Sequence, residues 1–200
     1  MNLTDLAEEV APRLLGATLT HETAEGTVSI AITETEAYSG AADPASHAYR
    51  GKTERNAVMF GPAGHLYVYR SHGLHWCANI VTGTDGIASA VLIRAGRVVE
   101  GEELARERRG DRADGPRLAR GPGNLCRALG ITAEQNGVDV LTGTRVKLSE
   151  GRPPDPAHVR SGPRVGVSRA HDWQHRFYLV NDPTVSAYRL SPRARPHKET

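Results

Sequence analysis

Lysine is scarce in this chain: only Lys52, Lys147 and Lys198 stand against 22 arginines. Schiff-base chemistry, which needs an amine nucleophile, therefore has few candidates. Cysteine is scarce too. Cys77 and Cys126 are too few and too far apart in sequence for a disulfide framework, so a reducing cytosol is the expected compartment. No run approaches the roughly 18 apolar residues of a membrane span, and the opening MNLTDLAEEV lacks the layout of a signal peptide. A hydrophobic fraction of 38% is low, while 21 Gly and 12 Pro indicate many turns. Two hundred residues still suffice for one domain with a proper core. The net charge of +2 conceals the arginine excess. Guanidinium forks suit phosphate, although a GC-rich coding bias accounts for most of that excess.

What is present is organised around residues 30–47, IAITETEAYSGAADPASH. Val28, Ile30 and Ile32 alternate with Ser29, Ala31 and Thr33, the period of a half-buried strand. Continuing that parity puts Glu34, Glu36 and Tyr38 on the aliphatic face. A buried carboxylate needs a partner or a task, and such breaks in patterning are expected at functional sites. On pattern alone, the reading in which both carboxylates lie beyond the sheet edge in water stays open.

The flanking chain reads as short elements. Thr4 is a candidate cap for a first helix ending at Gly16, with Pro12 kinking it. A strand around Leu19 pairs with 28–36 as an antiparallel hairpin. Asp43-Pro44 predicts a short helix through His47, and Thr53 caps another turn. The HLYVYR run alternates, with Tyr67 and Tyr69 on one face and Leu66 and Val68 on the other. After a tip at 71–73, LHWCANIV returns with Leu74, Trp76, Ala78 and Ile80 together, and 87–94 completes a meander. Helices are expected over 100–109 and Pro122–Leu129, and later strands over 145–148, 164–167 and 177–180. Loops fall at 110–115 and 151–158. The polar stretch 192–200 reads as a flexible tail behind one domain spanning 1–191. The expected fold class is α+β, a single mixed domain around a curved, mostly antiparallel and partly barrel-like sheet with short flanking helices.

The string TETEAYSGAADPASHAYRGKTERNAVMFGPAGHLYVYRSHGLHWCANIV resembles the alkyladenine (3-methyladenine, methylpurine) DNA glycosylase family. The similarity continues through AVLIRAG and ARGPGNLCRALGI, then more faintly through PRVGVS and RFYLV, and so covers nearly the whole chain in order. Its specificity lies in an ordered series: TEAY, a His eleven residues after the Glu, R-N-x-x-M-F, Y-V-Y, C-x-N and GP-x-x-L-C.

The resemblance implies an enzyme that flips alkylated or deaminated purines out of duplex DNA and hydrolyses the N-glycosidic bond, leaving an abasic site. It implies Glu36 as the residue that activates water against an oxocarbenium-like sugar, and gives Glu34 no role. Tyr38 and His47 match the residues that sandwich the extruded base, and Tyr69 a further wall. Asn79 and Arg94 match positions on the sugar, water and phosphate side. His72 stands where the family carries an intercalating Tyr at a hairpin tip, a departure that leaves Leu74 or His75 as alternatives. Arg50, Arg55, Arg70, Arg94, Arg120 and Arg127 flank the motifs as phosphate contacts, along with the helix start at Gly121-Pro122. The denser arginine run over 106–112 is interleaved with acids and reads as a solvated face.

Other chemistries find less support in these residues. His72, His75 and Cys77 resemble part of a metal site, but no fourth ligand is apparent and no metal or cofactor is expected. A bifunctional lyase would have only Lys52 near the motif, and a sugar-cleaving glycosidase only Glu34 as a second carboxylate. A non-catalytic lesion-binding module of the same fold would not need Glu36. The expected partner is double-stranded DNA containing damaged purines, without a membrane. The expected protein is a monomer, cytoplasmic and associated with a bacterial nucleoid.

Overall fold

The computed structural model describes residues 1–110 and 113–194. Part of the expected tail, 195–200, and positions 111 and 112 of the arginine run lie outside the described residues.

Alternating aliphatics produce a curled antiparallel sheet of eight strands among the described residues: β1 (Thr18–Thr23), β2 (Gly26–Tyr38), β3 (Leu66–Ser71), β4 (His75–Val81), β5 (Ala90–Glu100), β6 (Val146–Ser149), β7 (Val159–Gly162) and β8 (Arg176–Leu179). Its main order is β3-β4-β5-β2-β1-β6. On one edge β2 pairs with β1 up to Ala31 and then with β8 from Glu34 to Glu36. β5 follows its other edge from Ser29 to Tyr38. Three α-helices, α1 (Ala7–Arg13), α2 (Glu102–Arg109) and α3 (Pro122–Leu129), flank the sheet, giving a single mixed α+β domain. None of the described helices is long and apolar enough to cross a membrane.

Strict alternation along β2 fails at Glu34. Ile30 and Ile32 are core residues, but so is Ala37, which has the opposite parity. Register shifts on either side of Glu34 account for the inversion. Downstream, Thr35 and Ala37 oppose the core residues Ile93 and Val91, and Thr35 Oγ1 donates to the Ala11 carbonyl of α1 at 2.9 Å. Glu36 opposes Leu92 and leaves the aliphatic face. The expectation that Glu36 and Tyr38 share the face of Ile32 is therefore corrected. A bulge re-aims this strand, as bulges beside functional sites commonly do.

Other expectations shift for local reasons. Thr4 bonds Asn2 rather than capping α1, whose N-cap is Leu6. Residues 43–47 form turns instead of a helix, because the Asp43 carboxylate is shared between the Ala45 N–H and Arg164. Residues 164–167 form no strand. Leu74, grouped by alternation with Trp76, is instead 72% exposed at the hairpin tip. The meander, the β1–β2 hairpin and α3 stand where the pattern put them.

Candidate active site

The bulge turns the end of β2 toward a cleft of about 570 Å³. Glu36, Tyr38, His47, Tyr69, Asn79, Arg94, His72 and Arg50 all line it. Arg55 and Arg120 do not. Arg55 is exposed and donates to the Arg70 carbonyl at 3.3 Å, while Arg120 borders a separate cavity and donates to the Pro183 carbonyl.

Glu36 is fully buried and, among the described residues, is the only carboxylate lining the cleft. Its Oε1 accepts the Val165 backbone N–H at 2.7 Å and lies 3.4 Å from Arg94 Nη1, while Oε2 accepts the Tyr38 hydroxyl at 2.8 Å. A carboxylate offers about four acceptor sites, so with two hydrogen bonds and one ion pair made, Oε2 keeps an acceptor direction free. The Val165 amide serves the carboxylate rather than a sheet ladder, which is why 164–167 is not a strand.

Glu34, two residues earlier, is committed elsewhere. Its Oε1 accepts from Arg176 Nε at 2.6 Å, Arg94 Nε at 3.2 Å and Ser186 Oγ at 2.9 Å, and its Oε2 from the Ser186 N–H at 2.8 Å. Arg94 thus bridges both carboxylates. Burial works against its charge, but Glu36 and Glu34 outweigh that and raise its proton affinity.

Tyr38 is braced by a residue that sequence reasoning did not single out. Arg164, with its guanidinium 4.7 Å from the Tyr38 ring centroid, donates to the Ala37 carbonyl at 2.9 Å and forks onto Asp43. Both members of this ion pair are fully buried. The pair ties the end of β2, the turns carrying His47 and the Val165 segment into one unit.

Tyr67 is a second unrecognised wall, 1% exposed and with the same parity as Tyr69, the one signal that pointed to it. Its hydroxyl and His47 Nδ1 are 3.1 Å apart, and its ring stacks on Tyr69 with centroids 5.6 Å apart. His47 meets Tyr69 edge-on at 4.4 Å. Asn56 fixes the His47 backbone by donating to its carbonyl at 3.0 Å. Asn79 donates to the Tyr67 carbonyl at 3.0 Å.

The walls are neutral. Burial, then the Glu36 charge, pushes the Tyr38 phenol well up; burial does the same for Tyr69, and carries Tyr67 to about 12. Crowding by protein atoms, followed by the Arg55 charge, lowers the proton affinity of His47. Burial also raises the Cys77 thiol, favouring its protonated form. Among the described residues no three His, Cys, Asp or Glu side chains cluster as metal ligands. The cleft therefore offers uncharged rings above a floor of one carboxylate and one guanidinium, with two further arginines, Arg50 and Arg169, exposed at its edge.

A neutral aromatic cleft floored by one carboxylate on a curled antiparallel sheet defines a class, and comparison supplies its name. Residues 2–183 match the model of the methylpurine-DNA glycosylase family, to which the chain belongs. A relative from Mycolicibacterium fortuitum is 53% identical over 190 residues, covering 92% of this chain and 94% of that protein. One from Corynebacterium glutamicum is 51% identical over 187 residues, covering 94% and 86%. A third, from Streptomyces avermitilis, is 49% identical over 193 residues, covering 94% and 90%. All three carry the provisional name 3-methyladenine DNA glycosylase.

Proposed function

We propose that the protein is a monofunctional DNA glycosylase of base excision repair, acting on alkylated or deaminated purines in duplex DNA. The observation that carries this reading is the bonding of Glu36. Two hydrogen bonds and the Arg94 ion pair hold the carboxylate in place, and Oε2 keeps an acceptor site for a water molecule. A purine flipped between the rings of Tyr38, His47 and Tyr69 would bring its sugar to that floor. Glu36 then takes a proton from the water as oxygen bonds to the anomeric carbon and the C–N bond breaks. Its negative charge stabilises the oxocarbenium character of the sugar. A cationic alkylated base gains from electron-rich, uncharged walls. The names of the relatives favour 3-methyladenine among the lesions.

Lyase activity is not part of this reading. Lys52 lies outside the cleft, its ammonium 5.7 Å from the Phe60 ring centroid. Borohydride should trap no covalent DNA adduct.

The deciding experiment is abasic-site formation on duplex DNA carrying one alkylated purine, with the native protein and Glu36→Gln. Native protein should release base and the variant should bind without releasing it. Binding of lesions by the native protein without base release would overturn the enzymatic reading in favour of a lesion-binding module.

A further inference from the structure

The tip of the β3–β4 hairpin separates two cavities. His72 borders the catalytic cleft, whereas Leu74, His75 and Trp76 border a second cavity of about 540 Å³ under α2 and α3. A smaller cavity of about 320 Å³ shares Arg109 and Asn124 with it, so the two form one trough.

The arginines of this region are not alike. Arg106, Arg108 and Arg117 pair with Glu102, Glu25 and Asp114. Arg109 and Arg127 have no carboxylate partner among the described residues. Each is anchored through Nε to a backbone carbonyl, Arg109 on Leu118 at 2.9 Å and Arg127 on Arg108. That anchoring holds the guanidinium in place and leaves its terminal N–H groups for another acceptor. The proton affinity of Arg109 is lowered by burial and then by the Arg127 charge, so the two cations repel one another. Like charges held together raise the free energy of the unliganded protein, and a bound anion relieves that.

The trough is also coupled to the tip. A Cβ on Gly123, in the first turn of α3, would lie 2.8 Å from His75 Cβ. The hairpin therefore rests directly on α3, and tip and trough form one surface.

We propose that this trough seats the phosphodiester backbone of the DNA strand that does not carry the lesion, with Arg109 and Arg127 as the phosphate contacts. The inference rests on the glycosylase reading for its geometry. If the damaged nucleotide enters on the His72 flank and the tip stands in the stack, the other strand passes on the opposite flank. Arginine forks match phosphate oxygens there, and among the described residues neither cation has a carboxylate partner to give up.

The test is equilibrium binding over a range of salt, in a Glu36→Gln background, to a lesion duplex and to the same lesion strand alone. Arg109→Gln with Arg127→Gln should make the slope of log affinity against log salt on duplex shallower by roughly 2, about one counter-ion per contact. The duplex-to-single-strand affinity ratio should fall. Arg109→Lys with Arg127→Lys should restore most of the slope, which a folding defect would not allow. An unchanged duplex slope, or an equal shift on both substrates, overturns the proposal. Absence of base release by native protein sinks the glycosylase reading alone, because the salt slopes still judge the trough.

Discussion

The backbone N–H of Val165 meets Glu36 Oε1 at 2.7 Å across 129 positions of sequence. That contact is held from behind by Arg164, which sits between Asp43, the Ala37 carbonyl and the Tyr38 ring. The catalytic candidate is therefore positioned by an ion pair that does not line the cleft.

Removing one member of that pair should cost both stability and activity. Arg164→Met leaves the Asp43 charge buried and unpaired, for an expected loss of about 3–5 kcal/mol in urea denaturation. Adding Asp43→Asn should recover much of the stability while single-turnover base release stays depressed, because the Val165 segment and the support of Tyr38 are still lost. Full recovery of release in the double variant would reduce the pair to a structural role.

The two carboxylates of β2 should separate cleanly. Glu36→Gln should lower base release by roughly 10²–10⁴-fold yet leave the melting temperature unchanged or higher, since Arg94 keeps Glu34. Glu34→Gln leaves the buried Arg176 without its carboxylate, while Arg94 keeps only Glu36, and should destabilise by about 3–5 kcal/mol. The same stability loss in both variants would contradict this division.

At the hairpin tip, His72 has φ 50° and is exposed, with Leu74 72% exposed beside it. His72→Ala should weaken processing of lesions in duplex more than in single strands, because only a duplex needs its stack filled. Leu74→Ala tests whether the more apolar neighbour shares that work. Equal losses on both substrates would count against a wedge at either position.

Stability should fall on mild acidification. His21, which is buried, and His175, which is half-buried, have proton affinities lowered from 6.5, chiefly by burial. Below that value the unfolded chain binds protons that the folded chain resists, so stability is full above it and declines as pH drops through the lowered values. Urea midpoints should be lower at about pH 5.5 than at about pH 7.5. His21→Gln, at a site hydrogen-bonded to the Leu129 carbonyl at 2.9 Å, should flatten the trend.

Sequence alone carried the local features well. Alternation located β3, β4 and the faces of Tyr67 and Tyr69, and Gly121-Pro122 announced α3, since both depend on neighbouring residues. Eight of the residues expected at the site share the cleft. What escaped notice depends on distant partners. The bulge at Glu34 exists only against β5 and β8, the Asp43–Arg164 pair spans 121 positions, and a backbone amide such as that of Val165 leaves no mark on residue identity. Tyr67 was legible as Tyr69's neighbour in parity, but its contact with His47 required the turns at 43–50 to fold back.

The irregularity at Glu34 works on β2 as a frameshift works on a reading frame. Even positions before it pack as scaffold and even positions after it face the cleft, because the alternation changes face there. Without the irregularity, unbroken alternation from Ile32 would send Thr35 and Ala37 toward the cleft and deliver Glu36 into aliphatic packing. An apparent defect in pairing is thus what lets a single strand belong to two environments.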